Sequence, residues 1–167
     1  LLVLAKEQYE GRDISSTYIR EILRRGQMEL AEELLGYPYF VTGEVVRGKQ
    51  LGRKLGTPTL NQIPREEKLL PPDGVYASRV YLDDKMYGGM TNIGMRPTME
   101  DVKVRNVETC LFDFDKNIYG RNVKVELLAF QREEQKFSSV EELRAQLQKD
   151  MAKTKQILGK INIDNKK

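Results

Sequence analysis

The sequence has no histidine and a single cysteine, Cys110. Without histidine, a Ser-His-Asp triad, a histidine general base, a Cys2His2 zinc site and an HExxH metalloprotease are all excluded. One cysteine excludes intrachain disulfides and CxxC redox motifs. No run approaches the roughly 20 apolar residues that a membrane-spanning helix needs, and the opening Leu1-Leu2-Val3-Leu4-Ala5 lacks a basic region before it meets Lys6 and Glu7. A cytoplasmic protein with no membrane partner is expected. The net charge of +3 is too small to announce nucleic-acid binding. Any chemistry is left to carboxylates, hydroxyls, amides, lysine and arginine, with or without a hard, oxygen-loving cation.

What is present is enough for one globular domain: 167 residues, 40% of them apolar and 32% charged. The first 36 residues read as a helical lead-in. Hydroxyls at Ser15, Ser16 and Thr17 offer an N-cap for a short helix that ends at Gly26, and Met28 to Leu35 forms a second, closed by Gly36. From Tyr39 the apolar period changes to two. Phe40 to Val46 predicts a strand, Val75 to Leu82 and Met86 to Ile93 predict a hairpin about Asp83-Asp84-Lys85, and Val107 to Phe114 with Val123 to Phe130 predict a second hairpin. Strands at this spacing without helices between them argue antiparallel pairing and a barrel. After Phe137 the period returns to helical. Ser138 with Glu141, or Ser139 with Glu142, makes a capping box, and Leu143, Leu147, Met151, Thr154 and Leu158 form one stripe of a helix expected to end at Gly159.

The segment from Gly48 to Asn61 carries the strongest chemical signal. Gly48, Gly52 and Gly56 recur every fourth residue and would let backbone N–H groups face an anion, while Lys49, Arg53 and Lys54 supply positive charge. Such a stretch is a phosphate cradle or a flexible basic loop. Gly43 to Lys49 matches GxxxxGK, but Gln50 stands where Ser or Thr would hold Mg2+, and a strand precedes it with no helix behind, so a Walker A loop is rejected. On an extended Pro58-Thr59-Leu60-Asn61, Thr59 and Asn61 share a face. Their oxygens could reach one cation if nucleotide phosphates supplied the negative charge, or they could simply satisfy a loop. Glu108 lies inside the otherwise apolar run Val107 to Phe112, where a carboxylate faces solvent, pairs with a cation or serves as a general base in a cleft. Asn92 to Arg105 reads as a strand followed by a long charged loop, a lid or a surface excursion. Arg132 and Phe137 could meet a planar ligand by charge and by packing.

Taken in order, Gly43-Glu44-Val45-Val46-Arg47-Gly48, Gly52-Arg53-Lys54-Leu55-Gly56-Thr57-Pro58-Thr59-Leu60-Asn61, Leu70-Pro71-Pro72-Asp73-Gly74-Val75-Tyr76, Asn92-Ile93-Gly94-Met95-Arg96-Pro97-Thr98, Val107-Glu108-Thr109 and Glu134-Gln135-Lys136-Phe137 resemble the riboflavin kinase family. The resemblance spans Tyr39 to Leu158. It implies a mainly β fold, a six-stranded antiparallel Greek-key barrel with a C-terminal helix. It also implies transfer of the ATP γ-phosphoryl group to the riboflavin 5′-hydroxyl, giving FMN and ADP. On that basis Gly48, Gly52, Arg53, Lys54 and Gly56 belong to the nucleotide loop, Thr59 and Asn61 to an Mg2+–phosphate site, Glu108 to the general base, and Arg132 and Phe137 to the flavin side. Ile14 to Arg20 resembles the closing signature of the nucleotidyltransferase module of the bacterial bifunctional riboflavin kinase/FAD synthetase. The resemblance therefore divides the chain into a helical tail of that module, 1–36, and a kinase barrel with its helix, 37–167, with an FAD synthetase module as covalent partner.

Two positions depart from the family. Cys110 stands where histidine is common, and the histidines of the module's HxGH motif are missing, so FAD synthesis by this chain alone is not expected. The competing expectation is a non-catalytic β-barrel that binds flavin nucleotide or single-stranded nucleic acid.

Overall fold

The alternation of apolar and polar residues from Phe40 onward has a sheet to serve. In the computed structural model, which describes residues 7–48, 52, 57–97 and 103–164, it builds a six-stranded antiparallel sheet. A two-residue ribbon of β1 (Gln8–Tyr9) and β2 (Arg12–Asp13) leads into α1 (Ser16–Arg24) and α2 (Met28–Leu35). The strands that follow are β3 (Phe40–Glu44), β4 (Thr59–Gln62), β5 (Gly74–Leu82), β6 (Lys85–Pro97), β7 (Lys103–Leu111) and β8 (Asn122–Glu133), and the chain finishes in α3 (Val140–Asp164).

The spatial order is β3-β8-β5-β6-β7-β4. Strands β5, β6 and β7 are joined in sequence, and β8 returns to lie beside β5, which is a Greek key. The sheet curls into a half-barrel, and a bridge between Val46, just past β3, and Asn61 on β4 brings its two ends together. Two register shifts in the β5–β8 pairing, at Val75/Tyr76 and Ala77/Ser78, sharpen the bend next to the cleft described below.

The inner face is apolar, with Val80, Ile93, Val107, Val125 and Leu127 fully buried. Packed on the same core are Ile22 and Leu23 of α1 and Met28, Ala31 and Leu34 of α2, so the helical lead-in and the sheet share one hydrophobic interior. The Ser15 side chain caps α1, accepting from the Tyr18 N–H at 3.2 Å. A smaller cluster forms on the outer face, where Val75, Met90 and Phe112 meet Leu147, Met151 and Leu158 of α3. Fully buried Thr154 also lies on the apolar stripe expected for that helix.

Three local expectations are corrected. The run Val107 to Phe114 does not pair with Val123 to Phe130: β7 lies between β6 and β4, and β8 lies between β3 and β5. Periodicity identified both strands but carries no information about partners, and the ten-residue connection is long enough for a crossover. At both ends of the charged segment from Met95 to Arg105 the chain is strand, with β6 and β7 paired out to Pro97 opposite Lys103, and residues 98–102 lie outside the described residues. Gly159 does not end the last helix, which continues to Asp164, because a glycine in a helix interior costs only about 1 kcal/mol and takes the helical conformation when neighbours hold it. Of the second possible capping box one half forms, Ser139 Oγ accepting from the Glu142 N–H at 3.1 Å, while Glu142 Oε2 accepts from the N–H and hydroxyl of Ser138 in place of the Ser139 N–H.

Candidate functional site: a cleft between the outer sheet face and the last helix

Alternation along β7 puts Asn106, Glu108 and Cys110 on the outer face, while Val107, Thr109 and Leu111 go into the core. Pairing in register brings β4 alongside, with Thr59 opposite Cys110 and Asn61 opposite Glu108. The side chains then reach diagonally. Thr59 Oγ1 donates to Glu108 Oε1 at 2.5 Å, and Asn106 Nδ2 donates to Asn61 Oδ1 at 3.0 Å. On the other side of β7, Asn92 of β6 stands opposite Glu108 and donates from Nδ2 to Glu134 Oε1 at 3.0 Å.

This face opens into a cleft of about 290 Å3 beneath the first turns of α3. Thr59, Glu108 and Asn92 make its polar wall, Val75, Met90 and Cys110 its apolar floor, and Gly52, Arg132, Glu134 and Phe137 its rim, with Leu143 and Leu147 of α3 above. Five residues singled out from sequence, Gly52, Thr59, Glu108, Arg132 and Phe137, therefore meet around one space. Asn61 does not line it: the residue is 5% exposed and sits behind the wall against the Gly48 loop. A smaller groove of about 60 Å3 shares Thr59 with the cleft and runs the other way, between Val45, Leu60, Phe114 and Tyr119.

Glycine is required at two contacts here. A Cβ on Gly48 would lie 2.5 Å from Asn61 Nδ2, so that loop rests flat on the Asn61 amide. A Cβ on Gly52 would lie 2.3 Å from the Thr57 carbonyl oxygen, which holds the loop tight against the start of β4. Lys49, Arg53, Lys54 and Gly56 of the expected nucleotide loop lie outside the described residues.

Arg132 lines the cleft, but its charge is already matched. Its Nε donates to both oxygens of buried Asp150 on α3, and Nη2 donates to Oδ2 at 2.6 Å. Gln146 Nε2 also donates to that carboxylate, at 2.8 Å. Arg132 thus fastens α3 over the sheet while presenting one face to the cleft. Burial first, and then the neighbouring charge of Glu108, push the Cys110 thiol up to about 11, so it is a neutral packed group and no nucleophile. Sequence reasoning gave no role to Asn92, Asn106, Glu134 or Asp150. The phase of β6 and β7 relative to Glu108 could have exposed the two asparagines; Asp150 carries no local signal.

Among the described residues no cluster of three or more His, Cys, Asp or Glu side chains is placed to hold a metal ion. The oxygens at hand are the Thr59 hydroxyl, the Asn61 amide and the Glu108 carboxylate. That donor set suits a hard cation that brings phosphate ligands with it and suits no soft metal. No helix of the described residues is long and apolar enough to cross a membrane.

The flavokinase family model, described as riboflavin kinase, matches residues 35–158. The bifunctional riboflavin kinase/FMN adenylyltransferase of Bacillus subtilis is 40% identical over 143 residues, covering 84% of this chain and 45% of the relative. The chain therefore spans about half the length of the curated relatives it matches. Among solved structures, riboflavin kinase from Trypanosoma brucei superposes with a TM-score of 0.55 at 26% identity, covering 74% of this chain and 81% of that one. A Streptococcus pneumoniae crystal structure described as a macrolide-efflux protein superposes with a TM-score of 0.83 at 35% identity, over 90% of this chain and 49% of that one. With the family model matched from α2 into α3 across the whole six-stranded sheet, the chain belongs to the riboflavin kinase family.

Proposed function

We propose that this domain transfers the γ-phosphoryl group of ATP to the ribityl 5′-hydroxyl of riboflavin, yielding FMN and ADP. The observation that carries this reading is the Thr59–Glu108 contact at the junction of two cavities. The larger, with its apolar floor of Val75, Met90 and Cys110 and its Phe137 rim, suits a flat tricyclic ring; the smaller, between Val45, Leu60, Phe114 and Tyr119, leads away from Thr59 and has room for only one end of a nucleotide. Donor and acceptor would then meet at Thr59.

Glu108 accepts the proton of the 5′-hydroxyl as that oxygen forms its bond to the γ-phosphorus. The bond from phosphorus to the β,γ-bridging oxygen breaks, and ADP leaves with the electron pair. Thr59 holds the carboxylate in place by donating to Oε1, leaving Oε2 for the substrate hydroxyl. Phosphoryl transfer asks for in-line positioning and charge neutralisation more than covalent help, which suits a site with no histidine and an inert thiol. Backbone N–H groups near Gly48 and Gly52 and the cations Lys49, Arg53 and Lys54 would neutralise phosphate. Thr59 through its hydroxyl, and Asn61 through the Oδ1 lone pair that Asn106 leaves free, would hold Mg2+, and the cation would supply charge neutralisation at the phosphates.

The reading extends to organisation. Residues 1–36 are the tail of a nucleotidyltransferase module, covalently joined in the full-length protein to an FAD synthetase partner, and the ATP-dependent reaction places the domain in the cytoplasm. The curated relatives, roughly twice as long and named as bifunctional, support the covalently joined second module. Chromatography of the purified chain with riboflavin, ATP and Mg2+ tests it. FMN without FAD is expected; bound flavin with no FMN would favour the non-catalytic module.

A further inference from the structure

Asn61 is held from three sides. Its backbone carbonyl accepts from the Val46 N–H at 2.8 Å, its amide plane lies against Gly48, and its Oδ1 accepts from Asn106 Nδ2 at 3.0 Å. Asn106 lines neither cavity and is 5% exposed, as is Asn61. A polar pair this deep is costly unless each amide is satisfied, and an apolar residue at 106 would pack with β4 at least as well. The two ends of the Asn61 amide are nearly equal in size and opposite in hydrogen-bonding character, so packing alone cannot choose which end faces the Gly48 loop. The Asn106 donor makes that choice: it takes Oδ1 and turns Nδ2 toward Gly48.

We propose that Asn106 is a positioning residue for the nucleotide side of the site, fixing the orientation in which the Asn61 amide meets the Gly48 loop and the phosphates bound there. The proposal rests on the reading of that loop as the nucleotide site. Without Asn106 the Asn61 amide can turn over, and its donor and oxygen exchange places. Flavin contacts lie across Glu108, on the Asn92 side, and are untouched.

The test is calorimetric titration of ADP, with and without Mg2+, against the unaltered chain, Asn106→Leu, Asn61→Ala and the double variant, with riboflavin titrated in parallel. Asn106→Leu is expected to weaken ADP binding about five- to tenfold, the scale of one lost buried hydrogen bond, and to leave riboflavin affinity within about twofold. In the Asn61→Ala background the same change is expected to add nothing, since the effect passes through Asn61. Unchanged ADP affinity in Asn106→Leu, or fully additive losses in the double variant, overturns the proposal. Should Asn106→Leu lose its cooperative thermal transition, Asn106→Ser, whose hydroxyl is too short to span the gap, carries the same expectations and the same refutation. Failure of the unaltered chain to bind ADP overturns the nucleotide reading itself, and this inference with it.

Discussion

Thr59 and Glu108 lie 49 residues apart in sequence and share a 2.5 Å hydrogen bond across the β4–β7 pair. Neither is remarkable alone: a threonine at a strand start and a carboxylate in an alternating strand are common surface features. Sheet register turns them into a site, because only that pairing sets the hydroxyl against the carboxylate on the face that α3 roofs. The same register stacks Asn61 on Asn106 one step along.

Thr59→Ala removes both the donor to Glu108 and one oxygen for a cation. Nucleotide binding in Mg2+ is expected to weaken about tenfold, the scale of one charge-assisted hydrogen bond, and the Mg2+ concentration for half-maximal turnover to rise. Initial rates across a Mg2+ series check this, and an unchanged Mg2+ dependence would remove Thr59 from the cation site.

Gly94→Ala tests the flavin side. A Cβ there would lie 2.1 Å from Glu134 Oε1, so the exposed Glu134 side chain must swing away and release Asn92. The fold is expected to survive, since what moves is a side-chain tip, while KM for riboflavin rises several-fold and KM for ATP stays put. Equal changes in both constants would mean that Glu134 lies off the flavin path.

Cys110 gives a pH readout at the cleft floor. With its thiol pushed up to about 11, roughly one molecule in a thousand carries thiolate at pH 8, so alkylation by iodoacetamide is expected to be slow there and to climb without a plateau through pH 10. Glu108→Gln takes away one of the two influences that raise it and should shift the profile to lower pH. Bound riboflavin should slow the reaction further. Because the chain has one cysteine, the mass of the alkylated protein reports this site alone.

Asp150→Ala leaves the Arg132 guanidinium without its carboxylate beneath α3. Breaking a buried pair of this kind costs on the order of 3 kcal/mol, which for a domain of this size lowers Tm by about 6 to 12 °C. Thermal unfolding followed by circular dichroism measures it. A drop of a degree or two would mean that the helix is held by Leu147, Met151 and Leu158 instead.

The elements were legible because their patterns are local. Met28 to Leu35 reads as a helix from its own period and from Gly36 behind it, and the Asp83-Asp84 turn marks a hairpin whose strands do pair, Leu82 opposite Lys85. Strand partnership was not legible: nothing in Val123 to Phe130 says that it will skip β7 for β5 and β3, since that choice belongs to the closure of the whole sheet. The candidate site divides the same way. Glu108 stood out as a charge in an apolar strand, and Thr59 as a hydroxyl beside a glycine-rich loop. Asn106 and Asp150 act only through partners far away in sequence, so their residue types gave no sign of it.

The most direct measurement is single-turnover FMN formation by the unaltered chain and by Glu108→Gln, with ADP binding measured on both. The account predicts FMN from the unaltered chain, a rate at least about 100-fold lower in Glu108→Gln, and equal ADP affinity in the two, because an amide keeps the Thr59 hydrogen bond but cannot take the proton. Near-normal FMN formation by Glu108→Gln would contradict it.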